Sequence, residues 1–272
     1  MPSGGDDLAG RVILVTGASS GLGAHFAAML AGRGARLVLG ARRRPLLADV
    51  EAAIVAAGGQ AISVALDVTD PASVAAAYDV AEQAYGTVDT VIANAGTNVE
   101  GPAIDLGIAD FDQVMAVNVR GLFLTVREGA RRLMAIDPAQ RRDGRIVIIS
   151  SITAQSVSPG LAVYSASKAA VLQLGRVLAR DWANKGINLN ILCPGYIETD
   201  LNADWFHGAG GARHRRPGAP AGRGGAPAGP RRGGAGRPAR AGADDHDRGA
   251  VPGRRPGPGG GRAARPAVQA AP

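Results

Sequence analysis

Four polar side chains have types and spacings suited to moving a proton to or from an alcohol or carbonyl oxygen. Tyr164 and Lys168 are four residues apart in the segment YSASK, so on a helix they share one face. An ammonium group within about 4–6 Å favours the phenolate and lowers a tyrosine pKa from about 10. Ser151 follows the apolar run RIVIIS, and Asn118 interrupts the apolar stretch VMAVNVRG. We interpret Tyr164 as the acid–base group and Lys168 as the group that lowers its pKa.

The position of Ser151 supports proton transfer over two alternatives, a chance Tyr-Lys pair on a helix surface and a nucleophilic serine. A Tyr-x3-Lys pair alone also occurs on ordinary helix surfaces, but Ser151 lies just past a strand's carboxyl end, thirteen residues before Tyr164. There its hydroxyl can hydrogen-bond the reacting oxygen and orient it. Nucleophilic attack by Ser151 is not expected, because no His base is near and no nucleophile-elbow motif is present. The single cysteine, Cys193, also lacks a neighbouring His and is interpreted as a small buried residue.

A glycine-rich turn joins the first apolar run to the first helical segment in TGASSGLG, residues 16–23. Glycine permits the tight turn and the close backbone approach that a pyrophosphate needs at a helix N-terminus. The spacing is G-x3-G-x-G, and no Gly-Lys-Ser/Thr follows, so a nucleoside-triphosphate P-loop is excluded. The residues of this turn predicted to contact a cofactor are Gly17, Ser19, Gly21, Leu22 and Gly23.

The second apolar run ends in LVLGARRR, residues 37–44, where an NAD enzyme would have a carboxylate for the ribose 2′-hydroxyl. A cation suits a 2′-phosphate instead, so NADP is favoured over NAD. Arg42 is predicted to hold that phosphate, with the Ser19 hydroxyl as a helper. Arg43 and Arg44 are interpreted as solvated residues at a helix start.

Two more candidate cofactor segments follow the third and fourth apolar runs. Asp67 and Val68 come after the third run, where the carboxylate could meet the adenine amino group. Asn94, Ala95 and Gly96 come after the fourth run and are small enough for the backbone to pass close to a cofactor. Together with the glycine turn, these segments predict a nicotinamide dinucleotide, whose ribose the catalytic lysine and tyrosine would also contact. The proton transfer then accompanies a hydride transfer. No metal site is expected.

Apolar runs of strand length alternate with alanine-rich segments of helix length through most of the chain. Strands covered on both faces are nearly all apolar, as these runs are. The alternation predicts an α/β fold, a doubly wound parallel sheet of Rossmann-like type, with ligands beyond the carboxyl ends of the strands. Asp70 and Pro71 are predicted to be the N-cap and first residue of the third helix. The predicted strands are 11–16, 36–40, 61–66, 88–93, 145–150 and 187–192, and the predicted helices are 22–33, 46–57, 72–85, 109–135 and 161–184.

The composition changes at residue 207. Residues 1–207 hold 17 Lys and Arg against 20 Asp and Glu, so they give no electrostatic reason to expect nucleic acid as a partner. Residues 208–272 hold 13 Arg against three Asp, and all but eight of these 65 residues are Gly, Ala, Arg or Pro. Such a segment cannot bury enough apolar surface to fold. The prediction is a dinucleotide-binding domain over 1–207, with a sheet incomplete at its C-terminal end, and a disordered tail over 208–272.

Six motifs in the right order resemble the compact branch of the short-chain dehydrogenase/reductase family. They are TGASSGLG, Asp67-Val68, the NAG segment at 94–96, Asn118, the set of Ser151, Tyr164 and Lys168, and PGYIET at 194–199. The resemblance covers about residues 8–206. It implies that Asn118 helps to hold a water linking Lys168 to solvent, and that Ile197 and Thr199 contact the nicotinamide carboxamide. It also implies a homo-oligomer, a dimer or a tetramer.

Two functions are compatible with these residues. The favoured one is an NADP-preferring oxidoreductase acting on an alcohol or ketone. The alternative is a cofactor-binding protein without turnover, because the substrate lid and last strand of the resembled family have no counterpart after residue 207. The first ten residues lack the apolar core of a signal peptide, and no stretch approaches the roughly 20 apolar residues of a membrane span. A cytoplasmic protein is therefore expected.

Three origins of residues 208–272 are considered. The favoured one is a GC-rich gene read out of frame beyond about codon 207, because Gly, Ala, Arg and Pro are the residues whose codons begin with two G or C bases. A basic tail that binds nucleic acid or an acidic partner is one alternative, although the segment has no aromatic residue for base stacking. A spacer without function is the other.

Overall fold

The computed structural model describes residues 7–195. In that part of the chain six strands form one sheet: β1 (Val12–Thr16), β2 (Arg36–Ala41), β3 (Gln60–Ala65), β4 (Thr90–Ala93), β5 (Gly144–Ile149) and β6 (Ile187–Leu192). Neighbouring strands are all parallel, in the order β3-β2-β1-β4-β5-β6. The chain therefore moves outward from β1 to β3, returns to the centre at β4 and moves outward again. This confirms the predicted doubly wound sheet.

Helices cover both faces of the sheet. They are α1 (Gly21–Ala31), α2 (Arg44–Ala56), α3 (Pro71–Tyr85), α4 (Ile108–Met115), α5 (Leu122–Met134) and α6 (Ala162–Ala183). A six-residue π-helical segment, Ala116–Gly121, joins α4 to α5 without a break, and a short 3₁₀ turn, Ile152–Ala154, follows β5. Every predicted strand and helix is present, and each of its ends lies within two residues of the predicted position.

Local sequence explains where the helices begin. The Asp70 carboxylate accepts a hydrogen bond from the Ala72 N–H at 2.9 Å, and Pro71 is the first helical residue of α3, as predicted. Helix α2 begins two residues earlier than predicted, because Arg43 is the N-cap and the next proline lies within the first turn, where its missing N–H costs nothing. The predicted tail over 208–272 lies outside the described residues.

The core has two parts, one on each face of the sheet. Side chains alternate along a strand, so Leu14 packs into one part with Tyr78 of α3, while Ile13 packs into the other with Leu47 of α2. All four side chains are at least 99% buried. Burying a leucine or isoleucine contributes about 1.5–3 kcal/mol, which makes these central strands a rigid support for the loops at their carboxyl ends.

A partly buried ion-pair cluster lies at the amino end of the sheet. The Arg11 guanidinium, just before β1, contacts the Asp89 carboxylate at 3.1 Å and the Asp143 carboxylate at 2.5 Å. It also donates to the Asp143 carbonyl oxygen at 3.1 Å. Asp89 precedes β4 and Asp143 precedes β5, so one cation ties the starts of three neighbouring strands together.

Candidate active site

A cleft of about 480 Å³ lies beyond the carboxyl ends of the strands. Its lining contains most of the predicted cofactor and catalytic residues: Gly17, Ser19, Gly21, Leu22, Arg42, Asp67, Val68, Asn94, Ala95, Gly96, Ser151, Tyr164 and Lys168. Gly23 and Asn118 do not line the cleft, and both are buried beneath it. Ile197 and Thr199 lie outside the described residues.

The glycine turn brings the start of α1 close to the fourth strand's loop. Gly17 has φ +67°, a conformation that favours glycine, and a Cβ on Gly23 would lie 2.2 Å from the Gly17 carbonyl oxygen. The side chain of Ser20, the N-cap of α1, makes no capping hydrogen bond. The first N–H groups of α1 at the cleft therefore lack a side-chain cap, as in an anion site at a helix N-terminus.

Asn94 fastens this turn to the loop after β4. Its side-chain amide donates to the Thr16 carbonyl oxygen at 3.0 Å and to the Gly17 carbonyl oxygen at 3.4 Å. In return, the Thr16 hydroxyl accepts hydrogen bonds from the N–H groups of Asn94 and Ala95, each at 3.0 Å. Asn94 thus holds two cleft-lining loops at a fixed distance. The sequence had indicated only that this residue is small enough for the backbone to pass close to a cofactor.

The contacts of the three consecutive arginines differ from the prediction at Arg43. Arg42, Arg43 and Arg44 are all exposed, but Arg43 donates to the Ser19 hydroxyl at 3.1 Å and to the Ser20 hydroxyl at 2.6 Å. The serine hydroxyl that was predicted to help Arg42 therefore pairs with Arg43. Arg42 and Arg43 both line the cleft, so a positively charged corner faces it.

Asp67 lies close to this corner and is held as a carboxylate. Hydrogen bonds from the Thr69 hydroxyl at 2.7 Å and the Thr69 N–H at 2.9 Å lower the pKa of Asp67, and the Arg42 charge lowers it further. Burial opposes this effect without reversing it. The predicted carboxylate is therefore present and ionised at neutral pH.

The catalytic candidates meet at the other end of the cleft. The Lys168 ammonium lies 5.6 Å from the centre of the Tyr164 ring and donates to the Ile149 carbonyl oxygen at 2.9 Å. The Ser151 hydroxyl lies near the Tyr164 phenol and lowers its pKa. The Ser150 hydroxyl donates to the Lys168 carbonyl oxygen at 2.8 Å, which fastens α6 to the end of β5. The structure therefore brings together the three residues that the sequence grouped.

The pKa of Tyr164 departs from the sequence-based expectation. Burial raises it above its ordinary value, and the hydrogen bond from Ser151 offsets only part of that effect. The net lowering expected from the sequence is therefore wrong for this structure, because burial of the phenol outweighs the groups that favour the phenolate. Burial also lowers the pKa of Lys168 to about 8. Near neutral pH the pair is thus a protonated phenol beside a mostly protonated ammonium.

Asn118 lies in the π-helical segment and is fully buried. Its amide nitrogen donates to the Thr97 carbonyl oxygen at 2.9 Å and to the Ser167 hydroxyl at 3.0 Å, and its oxygen accepts from the Thr97 N–H at 2.8 Å. Asn118 thereby fixes the loop after β4 against α6, one residue from Lys168. The water contact implied by the family resemblance stays a prediction.

Several polar residues of the site were missed from the sequence. Thr97, Ser150 and Arg43 line the cleft, and Thr153 and Ser167 are buried beside the catalytic candidates. Ser150 and Ser167 could have been found, since each directly precedes a predicted catalytic residue in an apolar segment. Thr97 and Thr153 lie in loops, where no periodicity indicates which side chain points inward.

No helix in residues 7–195 has the length and apolar character needed to cross a membrane. A group of three or more metal-ligating side chains is likewise not found in this range.

Comparison with known proteins identifies one family along most of the described chain. Residues 11–210 match the family described as short chain dehydrogenase. The versicolorin reductase of Emericella nidulans is 41% identical over 196 residues, which span 71% of this chain and 72% of that protein. An NADPH-dependent aldehyde reductase-like chloroplastic protein of Arabidopsis thaliana is 35% identical over 210 residues, 72% of this chain and 76% of that protein.

Solved structures agree with the fold. A short chain dehydrogenase/reductase from Burkholderia phymatum, crystallised in complex with NAD, superposes with a TM-score of 0.66. It is 32% identical, and the match covers 78% of this chain and 72% of that one.

Proposed function

Because the chain belongs to the short chain dehydrogenase family, whose members are NAD- or NADP-dependent oxidoreductases, we propose that it transfers a hydride between NADP(H) and an alcohol or ketone. The observation that carries this proposal is the meeting of Ser151, Tyr164 and Lys168 at one end of a cleft whose other end is positively charged. A dinucleotide with a 2′-phosphate would meet cations at one end of the cleft and the proton-transfer groups at the other.

The residues of the cleft fit a nicotinamide dinucleotide. The N–H groups at the start of α1, without a side-chain cap, suit a pyrophosphate. The Asp67 carboxylate suits an amino group of the adenine, and Gly96 leaves the space beside Lys168 open. A Cβ on Gly96 would lie 3.6 Å from the Lys168 ammonium. These features support binding of NAD or NADP.

The preference for NADP rests on Arg42 and Arg43. Both guanidinium groups line the cleft, and the two serine hydroxyls that bind Arg43 hold it at the start of α1. Charge-assisted hydrogen bonds to a 2′-phosphate contribute about 1.5–3 kcal/mol each. The Arabidopsis relative is described as NADPH-dependent, whereas the Burkholderia structure contains NAD, so relatives alone do not decide between the two.

Calorimetric titration with NADPH and NADH tests this preference. We expect Arg43→Ala and Arg42→Ala to weaken NADPH binding about tenfold or more and to leave NADH binding unchanged. Arg44→Ala is the matched control, because Arg44 is equally exposed but does not line the cleft. Equal losses for both cofactors, or tighter binding of NADH by the unmodified protein, would refute the preference for NADP.

The chain's own residues account for the proton transfer. Bound NADPH would supply the hydride to the carbonyl carbon. Tyr164 donates its phenolic proton to the carbonyl oxygen, and burial, which keeps the phenol protonated, favours this direction. Ser151 hydrogen-bonds the same oxygen as negative charge develops on it. Lys168, charged below about pH 8, stabilises the phenolate that Tyr164 becomes. Alcohol oxidation uses the same groups in reverse and should speed up as the pH rises.

A panel of ketones with NADPH, followed by absorbance, tests turnover. We expect Tyr164→Phe to lower kcat about 10²–10⁴-fold while cofactor binding is retained, since only the proton donor is removed. Tyr85→Phe, at the end of α3 and outside the cleft lining, is the matched control and should keep full activity. If neither the unmodified protein nor the variant turns over while both bind NADPH, the alternative function, cofactor binding without turnover, is correct.

We also propose that the functional domain ends near residue 207 and that residues 208–272 arise from a change of reading frame. The change in composition and the end of the family match at residue 210 support this boundary. The nucleotide sequence around codon 207 tests the idea. If neither other frame beyond that codon encodes a helix, an apolar strand and turn residues, the proposal is wrong.

A homo-oligomer is proposed as well. Phe111 on α4 and Phe123 on α5 are 43% and 38% exposed. Exposed aromatic side chains of this kind support a contact between two copies of the chain at these helices. Light scattering of the purified chain would check it, and a monomer at all concentrations would contradict it. The cytoplasmic location expected from the sequence stays a prediction.

A further inference from the structure

Thr153 makes two hydrogen bonds to the same atom of a catalytic residue. Its backbone N–H donates to the Ser151 hydroxyl oxygen at 3.1 Å, and its hydroxyl donates to the same oxygen at 3.0 Å. Thr153 is only 6% exposed and lies in the 3₁₀ turn whose N-cap is Ser151. It does not line the cleft, so it acts on a ligand only through Ser151.

These two bonds determine what Ser151 can do with its own proton. A serine hydroxyl has one donor and two acceptor sites. Thr153 occupies both acceptor sites of Ser151, which leaves the Ser151 O–H to donate. The acceptor beside it is the Tyr164 phenol, whose pKa the Ser151 hydroxyl lowers. The three hydroxyls thus form a chain with one direction, from Thr153 to Ser151 to Tyr164, and such chains strengthen each bond in turn.

We propose that Thr153 is a positioning residue, which fixes Ser151 as a hydrogen-bond donor: to Tyr164 when no substrate is bound, and to the substrate oxygen once substrate is present. The proposal rests on the function proposed above for Ser151 and Tyr164. It makes Thr153 responsible for the direction of the Ser151 hydroxyl. Without the Thr153 hydroxyl, Ser151 can rotate its proton toward other acceptors and stabilises negative charge on the phenol or substrate less well.

The first test measures Tyr164 without any substrate. The full chain is labelled with 3-fluorotyrosine, whose phenol is more acidic than that of tyrosine, and its four tyrosines are titrated by ¹⁹F NMR. The Tyr164 signal is identified by its loss in Tyr164→Phe. A Ser151 hydroxyl that no longer accepts the Thr153 hydrogen bond is a weaker donor to the phenolate, so Thr153→Val should raise the pKa of the Tyr164 phenol by up to about 1 unit. Thr153→Ser keeps the hydroxyl and should titrate like the unmodified chain.

Two further variants make the test specific. In Ser151→Ala the relay is already broken, so adding Thr153→Val should produce no additional shift. Circular dichroism melts check that each variant folds, and Thr153→Ala replaces Thr153→Val if the valine is not accommodated. An unchanged titration in Thr153→Val overturns the proposal. So does an equal shift in Thr153→Ser, or a shift that adds to that of Ser151→Ala.

Kinetics provide an independent readout. With any ketone that is turned over, Thr153→Val should lower kcat about threefold to tenfold, leave the affinity for NADPH unchanged and move the pH profile toward higher pH. Thr153→Ser should restore the rate to within about twofold. If the unmodified chain turns over no ketone, the proposed function fails, but the fluorine titration still decides whether Thr153 directs Ser151.

Discussion

Two buried cations lie at opposite ends of the same sheet and have opposite surroundings. Arg11 at the amino end is 6% exposed and forms ion pairs with Asp89 and Asp143. Lys168 at the carboxyl end is 4% exposed and donates to the Ile149 carbonyl oxygen, and no carboxylate among residues 7–195 forms an ion pair with it. The two sites have similar burial, but only one of them has its charge balanced.

The pKa values of the two cations move in opposite directions as a result. Burial lowers the pKa of Arg11, but hydrogen bonds from Arg11 to Asp143 and Asp89 outweigh it, and the net change is upward. For Lys168 burial prevails and lowers the pKa to about 8. The amino end of the sheet is therefore a structural support, whereas the carboxyl end retains a charge without a carboxylate partner among residues 7–195. Unbalanced buried charge of this kind is characteristic of functional sites.

The largest expected effect is at the structural end. Arg11→Met should lower the free energy of unfolding by about 3–5 kcal/mol, because it leaves the buried Asp89 carboxylate without its cation. Urea unfolding at pH 7 would measure this loss. Arg33→Met is the matched control, since Arg33 pairs with Asp7 at an exposed position and should change stability by less than about 1 kcal/mol. Adding Asp89→Asn to Arg11→Met should recover part of the loss, and a simple sum of the two single effects would contradict this explanation.

Replacing Lys168 should change the free energy of unfolding in the opposite direction. Lys168→Met should increase the free energy of unfolding by up to about 3 kcal/mol at pH 7, because the folded protein binds the lysine proton more weakly than the unfolded chain. The unfolded pKa is 10.5 and the folded value is about 8, so the unmodified protein gains stability as the pH rises between them. The advantage of the methionine variant should therefore fall below about 1 kcal/mol at pH 10.

Urea unfolding at pH 7 and pH 10 would measure both values, and the variant should have lost turnover at each pH. A gain of the same size at both pH values would show that packing, rather than desolvation of the charge, is responsible. A loss at pH 7 would mean that Lys168 is balanced by a group other than those described.

The sequence could predict the fold and the grouping of the catalytic candidates, but not the electrostatics of the site. The strands and helices could be predicted because runs such as RVILVT and RIVIIS are mostly apolar and alternate with alanine-rich segments. Tyr164, Lys168 and Ser151 could be grouped because the carboxyl ends of parallel strands meet at one edge. The direction of the Tyr164 pKa could not, because it depends on how much of the phenol is buried and on where the ammonium points.

Other features of the site depend on details that have no sequence pattern. The π-helical segment around Asn118 inserts one residue into a helix without changing its composition. Which of Arg42 and Arg43 reaches the serines depends on side-chain rotamers at the start of α2. The relay from Thr153 to Ser151 depends on a 3₁₀ turn of three residues, too short for periodicity to reveal.

Helix α1 extends the comparison, because a glycine lies near each of its ends. A Cβ on Gly23, at the carboxyl end of the sheet, would lie 2.2 Å from the Gly17 carbonyl oxygen and 2.7 Å from the Asn94 amide nitrogen. A Cβ on Gly32, the C-cap of the helix, would be no closer than 3.5 Å to the Ala28 carbonyl oxygen. Gly23→Ala should therefore destabilise the protein by about 1–3 kcal/mol and weaken NADPH binding.

Gly32→Ala should leave both properties nearly unchanged, and thermal melts with calorimetric titration would measure the two variants side by side. Equal NADPH affinity in the two variants would show that the glycine turn tolerates displacement. It would then be a support for the fold and not part of the site.

The smallest expected effect tests which carboxylate balances Arg11. The Asp143 side chain is 46% exposed, so its ion pair is screened by water and Asp143→Asn should cost no more than about 1 kcal/mol at pH 7. Hydrogen bonds from Arg145 and Arg11 lower the pKa of Asp143 despite partial burial, so its contribution is present above the unfolded value of 3.8 and is lost as the pH falls. The difference between variant and unmodified protein should accordingly shrink between pH 7 and pH 3 in urea unfolding. A loss as large as that of Arg11→Met would instead make Asp143, and not the buried Asp89, the group that holds the amino end of the sheet together.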